Sequence, residues 1–512
     1  MHGPDGLPGP PRPGRRQGAD RGRPPVIAGD AWRRTRIVAT VGPASAGAPT
    51  LTAMALAGMD VARVTLAHGT TAEAVDRIRL LRSAVPSVGV LVDLPGPKVR
   101  AGPFPPGGVT LVADADLLLS AGEHDEASTA TRIAVSNAPL VEDLQVGDRV
   151  ALGDGGVALV VTGRCTDGAR AKVRSGGLLQ GRPGVTAPAG RLALVTPTAD
   201  DLERVDIVTG EDVDLLAVSF VRSAADIVAV REAAERRARR DGSAVPMLVA
   251  KIETPEAVAD LDAIVEVADA VMVARGDLGV RMPLEEVPHI QKQIIRLGVR
   301  YGRPVITATQ MLESMVSAFT PTRAEVTDVA NAVLDGTSAV MLSAETAVGV
   351  DPVGVVTTMA RIARRAEREF DHLAWGARLD PQKVAGDAFS SERITAATTA
   401  AAWRAAIDED AAAIVACTRS GATARAISRF RPPMPIIAVT PSRRTASQLT
   451  LSWGVETLVI GEATTTDEIV WFAVQAVVGA GRAQPGDVVV VLAGSPIEPE
   501  PATDTLRLVR IR

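Results

Sequence analysis

Aromatic side chains are scarce in this 512-residue sequence: seven Phe, five Trp and one Tyr make up 3%. Proteins that grip bases or sugars by stacking rely on such platforms, each worth ~1–3 kcal/mol, so that mode of binding is disfavoured. Positive charge is not in excess either. Fifty-five Lys and Arg against 60 Asp and Glu leave a net charge of −5, which argues against broad nucleic-acid binding through phosphate neutralisation. Two cysteines, Cys165 and Cys417, stand far apart. They exclude a disulfide framework or a Cys-based zinc site and make a reducing, cytoplasmic setting the expectation. No apolar run reaches the ~20 residues of a membrane span, so no membrane partner is expected.

What is present is organised. At ~100–200 residues per domain the length predicts two to four domains, and an apolar content of 46% suffices for large cores. The first thirty residues contain seven Pro, seven Gly and five Arg without apolar periodicity. Residues 1–32 therefore read as a disordered, mildly basic tail, and they lack the continuous apolar stretch of a secretory signal. From Arg33 onward, near-continuously apolar runs recur at Arg36–Val41, Val61–Leu66, Val88–Leu94, Leu215–Phe220, Met247–Glu253, Ala270–Gly276, Pro304–Gln310 and Ala339–Ser343. Such runs suit parallel strands buried on both faces. Amphipathic stretches such as Ala224–Arg240 and Leu284–Tyr301 separate them. Eight βα repeats predict an α/β fold, a (β/α)8 TIM barrel over residues 33–101 and 198–375. Residues 102–197, between the third and fourth runs, are rich in Gly and Pro with short strand-like segments and frequent turn signals. They predict a small β-rich lid domain inserted after strand 3, on the face where barrel active sites lie. Residues 376–512 return to alternating strands and helices and predict a separate C-terminal α/β domain of regulatory type.

The chemistry gathers at predicted strand ends. In MLVAKIE, alternate residues share a face, so Lys251 and Glu253 point together into the rim of the barrel. Charge buried there unpaired would be costly; the pair reads as functional, with a structural ion pair as the alternative. One unit later the strand AVMVA is expected to stop at an Arg-Gly-Asp turn. Gly276 allows close backbone approach there, and Asp277 is either a helix N-cap or, with Glu253, a ligand for Mg2+ or Mn2+. One unit further, Thr309 ends PVITATQ, either as a hydroxyl beside the metal or as a turn-forming Thr. Arg63 and Arg100 add fixed cations that, with Lys251, could clamp a phosphate, or are solvated surface charges. His68 is read as structural if nothing supports it.

Taken together, RRTRIVATVGPAS at Arg33–Ser45, AGMDVARVTLAHG at Ala57–Gly69, KIETPEAV at Lys251–Val258, MVARGDLGV at Met272–Val280, TATQMLESM at Thr307–Met315 and PTRAEVTDVANAVLDG at Pro321–Gly336 closely resemble the pyruvate kinase family. The resemblance runs over essentially Arg33–Arg512. It implies a glycolytic kinase that moves a phosphoryl group from phosphoenolpyruvate to ADP, giving pyruvate and ATP. It further implies that Glu253 and Asp277 hold the divalent metal, Mg2+ or Mn2+, and that Lys251 stabilises the transferring charge. Arg63 would grip the phosphate, Thr309 would sit at the protonated face of the enolate, and the backbone amides of Gly276 and Asp277 would hold the substrate carboxylate. Pro43, Thr65, His68 and Arg100 match nucleotide-side positions. By the same resemblance the protein is expected to be a cytoplasmic homotetramer.

The sequence departs from the potassium-dependent members of the family. They have Asn and Ser where this chain has Thr65 and Ala67, and Thr and Glu where it has Leu94 and Lys98. Ala67 removes a side-chain oxygen, and a cation ~4 Å from the Lys98 ammonium would be repelled by several kcal/mol at moderate dielectric. Lys98 is therefore expected to substitute for the monovalent cation, with K+ not required. In the C-terminal part, TRSGATAR (Thr418–Arg425) matches the family's phosphate-binding helix start, but the loop after GSP reads IEPEPATD. Glu498 and Glu500 would repel a bisphosphate, while Pro499 and Pro501 remove donors, so activation by fructose 1,6-bisphosphate is not expected. Ala344 stands where the family usually has Gly. Two rival readings are a citrate-lyase-like barrel aldolase and a non-enzymatic paralogue. The first lacks the insert and the third domain; the second is hard to square with the retention of Arg63, Lys251, Glu253, Asp277 and Thr309.

Overall fold

A computed structural model describes residues 32–97, 99–123, 125–153, 156–187, 195–379, 391–494 and 502–512. Lys98, the 1–31 segment, residues 380–390 near the start of the expected C-terminal domain and the Glu498–Pro501 stretch lie outside the described residues. The chain divides into Met1–Trp32 and Arg33–Arg512, and the second unit carries the strands and helices of the described residues.

The eight apolar runs form eight parallel strands: β1 (Arg36–Thr40), β2 (Val61–Thr65), β3 (Gly89–Asp93), β4 (Leu215–Val218), β5 (Met247–Ile252), β6 (Ala270–Ala274), β7 (Val305–Ala308) and β8 (Ala339–Leu342). They close in sequence order, β8 pairing back to β1 with Arg36 opposite Ala339. β3, β4, β6, β7 and β8 are buried at every position, which is why they read as unbroken apolar runs rather than alternating ones. Three of the connecting helices begin at capping boxes, Thr70 with Glu73, Thr198 with Asp201 and Thr322 with Glu325. In each, a Thr hydroxyl and an acidic side chain three residues on satisfy each other's free amides.

Two predicted boundaries shift. The amphipathic stretch from Leu284 is a 3-10 turn over Leu284–Glu286, with the α-helix running Val287–Tyr301. Pro288 lies in that helix's first turn, where a missing N–H costs nothing, and Leu284 is 74% exposed, off the buried stripe. The Arg-Gly-Asp segment is not a turn but the start of a helix, Arg275–Arg281, which buries Leu278.

Between β3 and β4 the chain builds a six-stranded, largely antiparallel sheet in the order Val185–Thr186, Arg149–Leu152, Val157–Cys165, Gly168–Ser175, Asp116–Ala121, Arg132–Val135. A two-stranded ribbon pairs Val109–Leu111 with Gly177–Leu179. These strands have their own apolar core, including Leu119, Ile133, Leu159 and Val173. After the barrel, five strands β9 (Ala413–Cys417), β10 (Ile436–Thr440), β11 (Val455–Val459), β12 (Val488–Ala493) and β13 (Thr505–Arg510) form one sheet in the order β11-β10-β9-β12-β13. Its first four strands are parallel and β13 is antiparallel. The chain is thus an eight-stranded βα barrel with a C-terminal α/β layer. Leu451, from the segment between β10 and β11, is fully buried in the cluster that fills the barrel interior, with Val38, Leu215, Val249 and Met341.

Candidate active site

The C-terminal ends of the barrel strands open onto a cavity of about 750 Å³, the end where barrel enzymes carry their chemistry. Arg63, at the third position of β2, directs its guanidinium at Asp93, the last residue of β3. Nε and Nη2 both donate to Asp93 Oδ2, at 2.8 and 2.6 Å, and Nη1 donates to Thr40 Oγ1 at 3.0 Å. Lys251 on β5 lies 3.2 Å from the other Asp93 oxygen and 2.9 Å from Glu253 Oε1, and donates to Ser219 Oγ at 2.6 Å. The second oxygen of Glu253 accepts the Phe220 amide at 2.8 Å. Two cations and two carboxylates from β2, β3, β5 and the residue after β5 therefore interlock, with Ser219 and Phe220 just past β4 completing the set.

The electrostatics arise from this packing. Burial alone would push the Asp93 carboxyl up, but the charges of Lys251 and Arg63 outweigh it and hold Asp93 below the usual carboxylate range. Burial would likewise lower the Lys251 ammonium, yet Asp93 and Glu253 beside it hold it above its ordinary value. Burial raises the Glu253 carboxyl; Lys251 opposes that shift and the nearby charge of Asp277 reinforces it.

Asp277 sits in the first turn of the Arg275–Arg281 helix, half-buried at the cavity wall. The Gly276 amide of that helix donates to Thr309 Oγ1 at 2.8 Å, and the same hydroxyl donates to the Ala308 carbonyl at 2.7 Å. Thr309 and Gln310 both adopt positive φ, 65° and 54°, a conformation that costs a β-branched residue energy and that the surroundings must impose. Arg275 imposes it: Nη2 donates to the Thr309 carbonyl at 2.7 Å, Nε to the Ala308 carbonyl at 3.3 Å, and Nη1 pairs with Asp328 at 2.7 Å.

Pro43, Arg63, Thr65, His68, Lys251, Glu253, Gly276, Asp277 and Thr309 all line the one cavity. Arg100 is not among its lining residues. Its guanidinium is held by two backbone carbonyls, Ala67 at 3.1 Å and Arg182 at 3.1 Å, where the chain enters the inserted sheet. A long side chain one element beyond the strand end is not bound to the site by strand periodicity, and carbonyls on both sides of the junction take its donors. Asp93, Ser219, Phe220 and Arg275 join the site without having been singled out in the sequence. The strand-end rule that picks out Lys251 picks out Asp93 and Ser219 equally, since both terminate apolar strands.

Among the described residues no three His, Cys, Asp or Glu side chains converge as a metal cage. Glu253 and Asp277 instead present two carboxylates to the cavity, and after burial the negative charge of Asp277 adds to the upward push on Glu253. That donor set fits a hard divalent cation that takes its remaining oxygens from substrate and water.

A closed βα barrel whose strand ends hold fixed cations beside a pair of metal-competent carboxylates has the architecture of an enzyme, with a site suited to anionic groups and a divalent cation. Residues 32–356 match the family described as pyruvate kinase, barrel domain, and residues 396–509 match pyruvate kinase, alpha/beta domain. The chain is 37% identical over 484 residues to the pyruvate kinase of Clostridium acetobutylicum, covering 93% of this chain and 99% of the other. It is 40% identical over 493 residues to that of Mycobacterium intracellulare, covering 94% and 98%, and 39% identical to that of Geobacillus stearothermophilus, covering 93% and 80%. The chain belongs to the pyruvate kinase family and is a phosphotransferase. No helix among the described residues is long and apolar enough to cross a membrane.

Proposed function

We propose that the protein transfers the phosphoryl group of phosphoenolpyruvate to ADP and protonates the resulting enolate, yielding ATP and pyruvate. The observation that carries this reading is the interlocked Arg63–Asp93–Lys251–Glu253 set at one strand-end cavity. In this reaction the bond between phosphorus and the enol oxygen breaks, a bond to a terminal ADP oxygen forms, and negative charge moves onto the enolate. Such a step asks the protein mainly for positioning and charge stabilisation. Arg63 grips the transferring phosphate; Lys251, kept protonated by Asp93 and Glu253, faces the charge that develops. Glu253 and Asp277 would hold Mg2+ or Mn2+, which when bound neutralises phosphoryl and enolate oxygens. The substrate carboxylate takes the amides of Gly276 and Asp277 at the helix start, displacing the Thr309 hydroxyl from the Gly276 amide. That frees Thr309 to orient the proton delivered to the enolate. Pro43, Thr65 and His68 line the nucleotide side, and Arg100 joins it as the inserted 102–197 domain closes over the cavity.

The reaction runs without K+, the Lys98 ammonium supplying the charge that the monovalent cation supplies elsewhere. Fructose 1,6-bisphosphate does not activate, the acidic and proline-bearing 497–504 loop repelling it. The working form is a cytoplasmic homotetramer. A coupled assay with phosphoenolpyruvate, ADP and Mg2+ or Mn2+, run with and without K+ and with and without the bisphosphate, tests these readings together. Absence of pyruvate formation overturns the activity. A strong K+ requirement overturns the role of Lys98, and a large drop in the phosphoenolpyruvate half-saturation on adding the bisphosphate overturns the loop assignment.

A further inference from the structure

We propose that the junction between the underside of the barrel and the C-terminal sheet binds one compact inorganic anion, held by Arg429 and Arg431. Four arginines, Arg303, Arg425, Arg429 and Arg431, meet there with Ser338 and Ser452 around a cavity of about 20 Å³. Ser338 immediately precedes β8, so the place lies at the N-terminal ends of the strands, opposite the catalytic cavity.

Arg431 and Arg429 are only 2% and 8% exposed. Each spends part of its guanidinium on backbone: Arg431 Nη2 donates to the Gly336 carbonyl at 2.5 Å, and Arg429 Nη1 to the Arg300 carbonyl at 3.3 Å. Among the described residues, Arg431 Nε and Nη1, Arg429 Nε and Nη2, Arg303 Nε and Ser452 Oγ are buried without a partner. Six unmet polar atoms in one place are costly, since each buried orphan forfeits its bonds to water. Two carboxylates reach the cluster through space, offsetting part of its charge, but among the described residues neither is hydrogen-bonded to it. Glu367 carries its charge toward Arg431, but its oxygens accept the Arg34 and Thr35 amides. Asp269 does the same toward Arg425, but it bonds Arg231 and the Leu248 amide.

A guanidinium does not give up its proton in a protein, so the cluster cannot relieve itself by titration. Burial pushes Arg431 down to about 9 and Arg429 and Arg425 down to about 10, the direction expected when charge is held away from water. The geometry fits an anion in the guanidinium planes. Arg431 lies over the Trp453 ring at 4.5 Å and Arg429 over Phe430 at 4.9 Å, so one face of each is covered and the edges carry the unmet donors. The Nε and Nη2 atoms of Arg429 form one edge, the fork that grips two oxygens of an oxyanion. The cavity leaves about 20 Å³ for the centre of a water-sized body, room for one small ion and not for a nucleotide or a sugar phosphate.

The test uses the whole enzyme in thermal melts at fixed pH and ionic strength, with chloride, inorganic phosphate or gluconate as the varied anion. The melting temperature should rise saturably, by roughly 2–5 °C, with chloride or phosphate and not with the bulky gluconate. A response to chloride identifies a halide site, and a response to phosphate alone an oxyanion site. Arg429→Met should abolish the saturable rise while leaving the stabilisation by phosphoenolpyruvate and Mg2+ intact. Equal melts in all three anions, or an unchanged rise in Arg429→Met, would overturn the proposal. Crystals of the unmodified enzyme grown in bromide or selenate give a second, variant-free reading: an anomalous peak bonded to Arg429 and Arg431 supports the site, and ordered water alone there refutes it.

Discussion

Asp93 lies between two cations of the active site, one oxygen 3.2 Å from Lys251 Nζ and the other taken by both Nε and Nη2 of Arg63. The carboxylate fixes the separation at which Arg63 and Lys251 face the cavity. Replacing it by the isosteric amide leaves two cations packed together without their counter-charge. Asp93→Asn should lower stability by about 3–5 kcal/mol, read as the shift in urea midpoint. It should also depress kcat more than it raises the phosphoenolpyruvate KM, because the cations are needed most as charge moves. An unchanged urea midpoint would show that Asp93 does not balance them.

The hydroxyl of Thr309 couples two consecutive strand ends through the Gly276 amide. Thr309→Val keeps the shape and removes both that bond and the relay. Exchange of pyruvate methyl hydrogens with D2O, which reports enolate protonation alone, should fall about 10²–10³-fold, and Thr309→Ser should recover most of it. Wild-type exchange in Thr309→Val would remove Thr309 from the proton path.

Arg275 is a positioning residue, acting through the carbonyls of Ala308 and Thr309 and through Asp328. Arg275→Lys keeps the charge but not the fork. It should release Thr309 from its positive φ and lower kcat by up to about 10²-fold, the scale of a 1 Å misplacement. The methyl-exchange rate should fall more than the rate of ATP formation; a purely structural role would lower both alike.

Acid should reveal a different pair. Burial pushes the Asp60 carboxyl up, but Arg33 and Arg36 and the Ile37 amide pull it below its ordinary value. A carboxylate depressed in the folded state contributes stability that is complete above its unfolded pKa near 3.8 and disappears as pH falls through the lower folded value. Asp60→Asn should therefore be much less stable than the parent at pH 7, and the gap should narrow as urea titrations move from pH 5 to below 3. A gap independent of pH would mean that Asp60 is held by packing rather than by charge.

Much of the fold and site is legible in the chain. Buried parallel strands such as AVML and LLAV leave unbroken apolar runs, and a strand-end carboxylate or ammonium is conspicuous against them, as with Lys251 and Glu253. Local competition is harder to read. The Arg275–Arg281 segment looks like a turn because Gly276 and Gly279 weaken helix propensity, yet Leu278 is buried and Arg275 is anchored to β7, and these contacts prevail. Arg100 reads as a phosphate ligand on charge alone, and nothing in its neighbours announces the two carbonyls that take its donors. Asp93 has the same strand-end signal as Glu253, but the LPGPK segment beside it carries the stronger turn signature and masks it. The arginines at 425, 429 and 431 have no periodic signature, because their cavity is assembled with the separate segments around Arg303, Ser338 and Ser452.

The seating of Leu451 inside the barrel has a consequence for biosynthesis. The last barrel strand ends at Leu342, but the side chain that stoppers the bore is made only after β9 and β10. Until residue 451 has been made, the eight strands lack one apolar member of their interior cluster, the one that sits with Leu215, Val249 and Met341. Chains halted before residue 449 should be cleaved readily by protease and chains halted beyond β11 should resist; equal resistance would mean that the ring closes without its stopper.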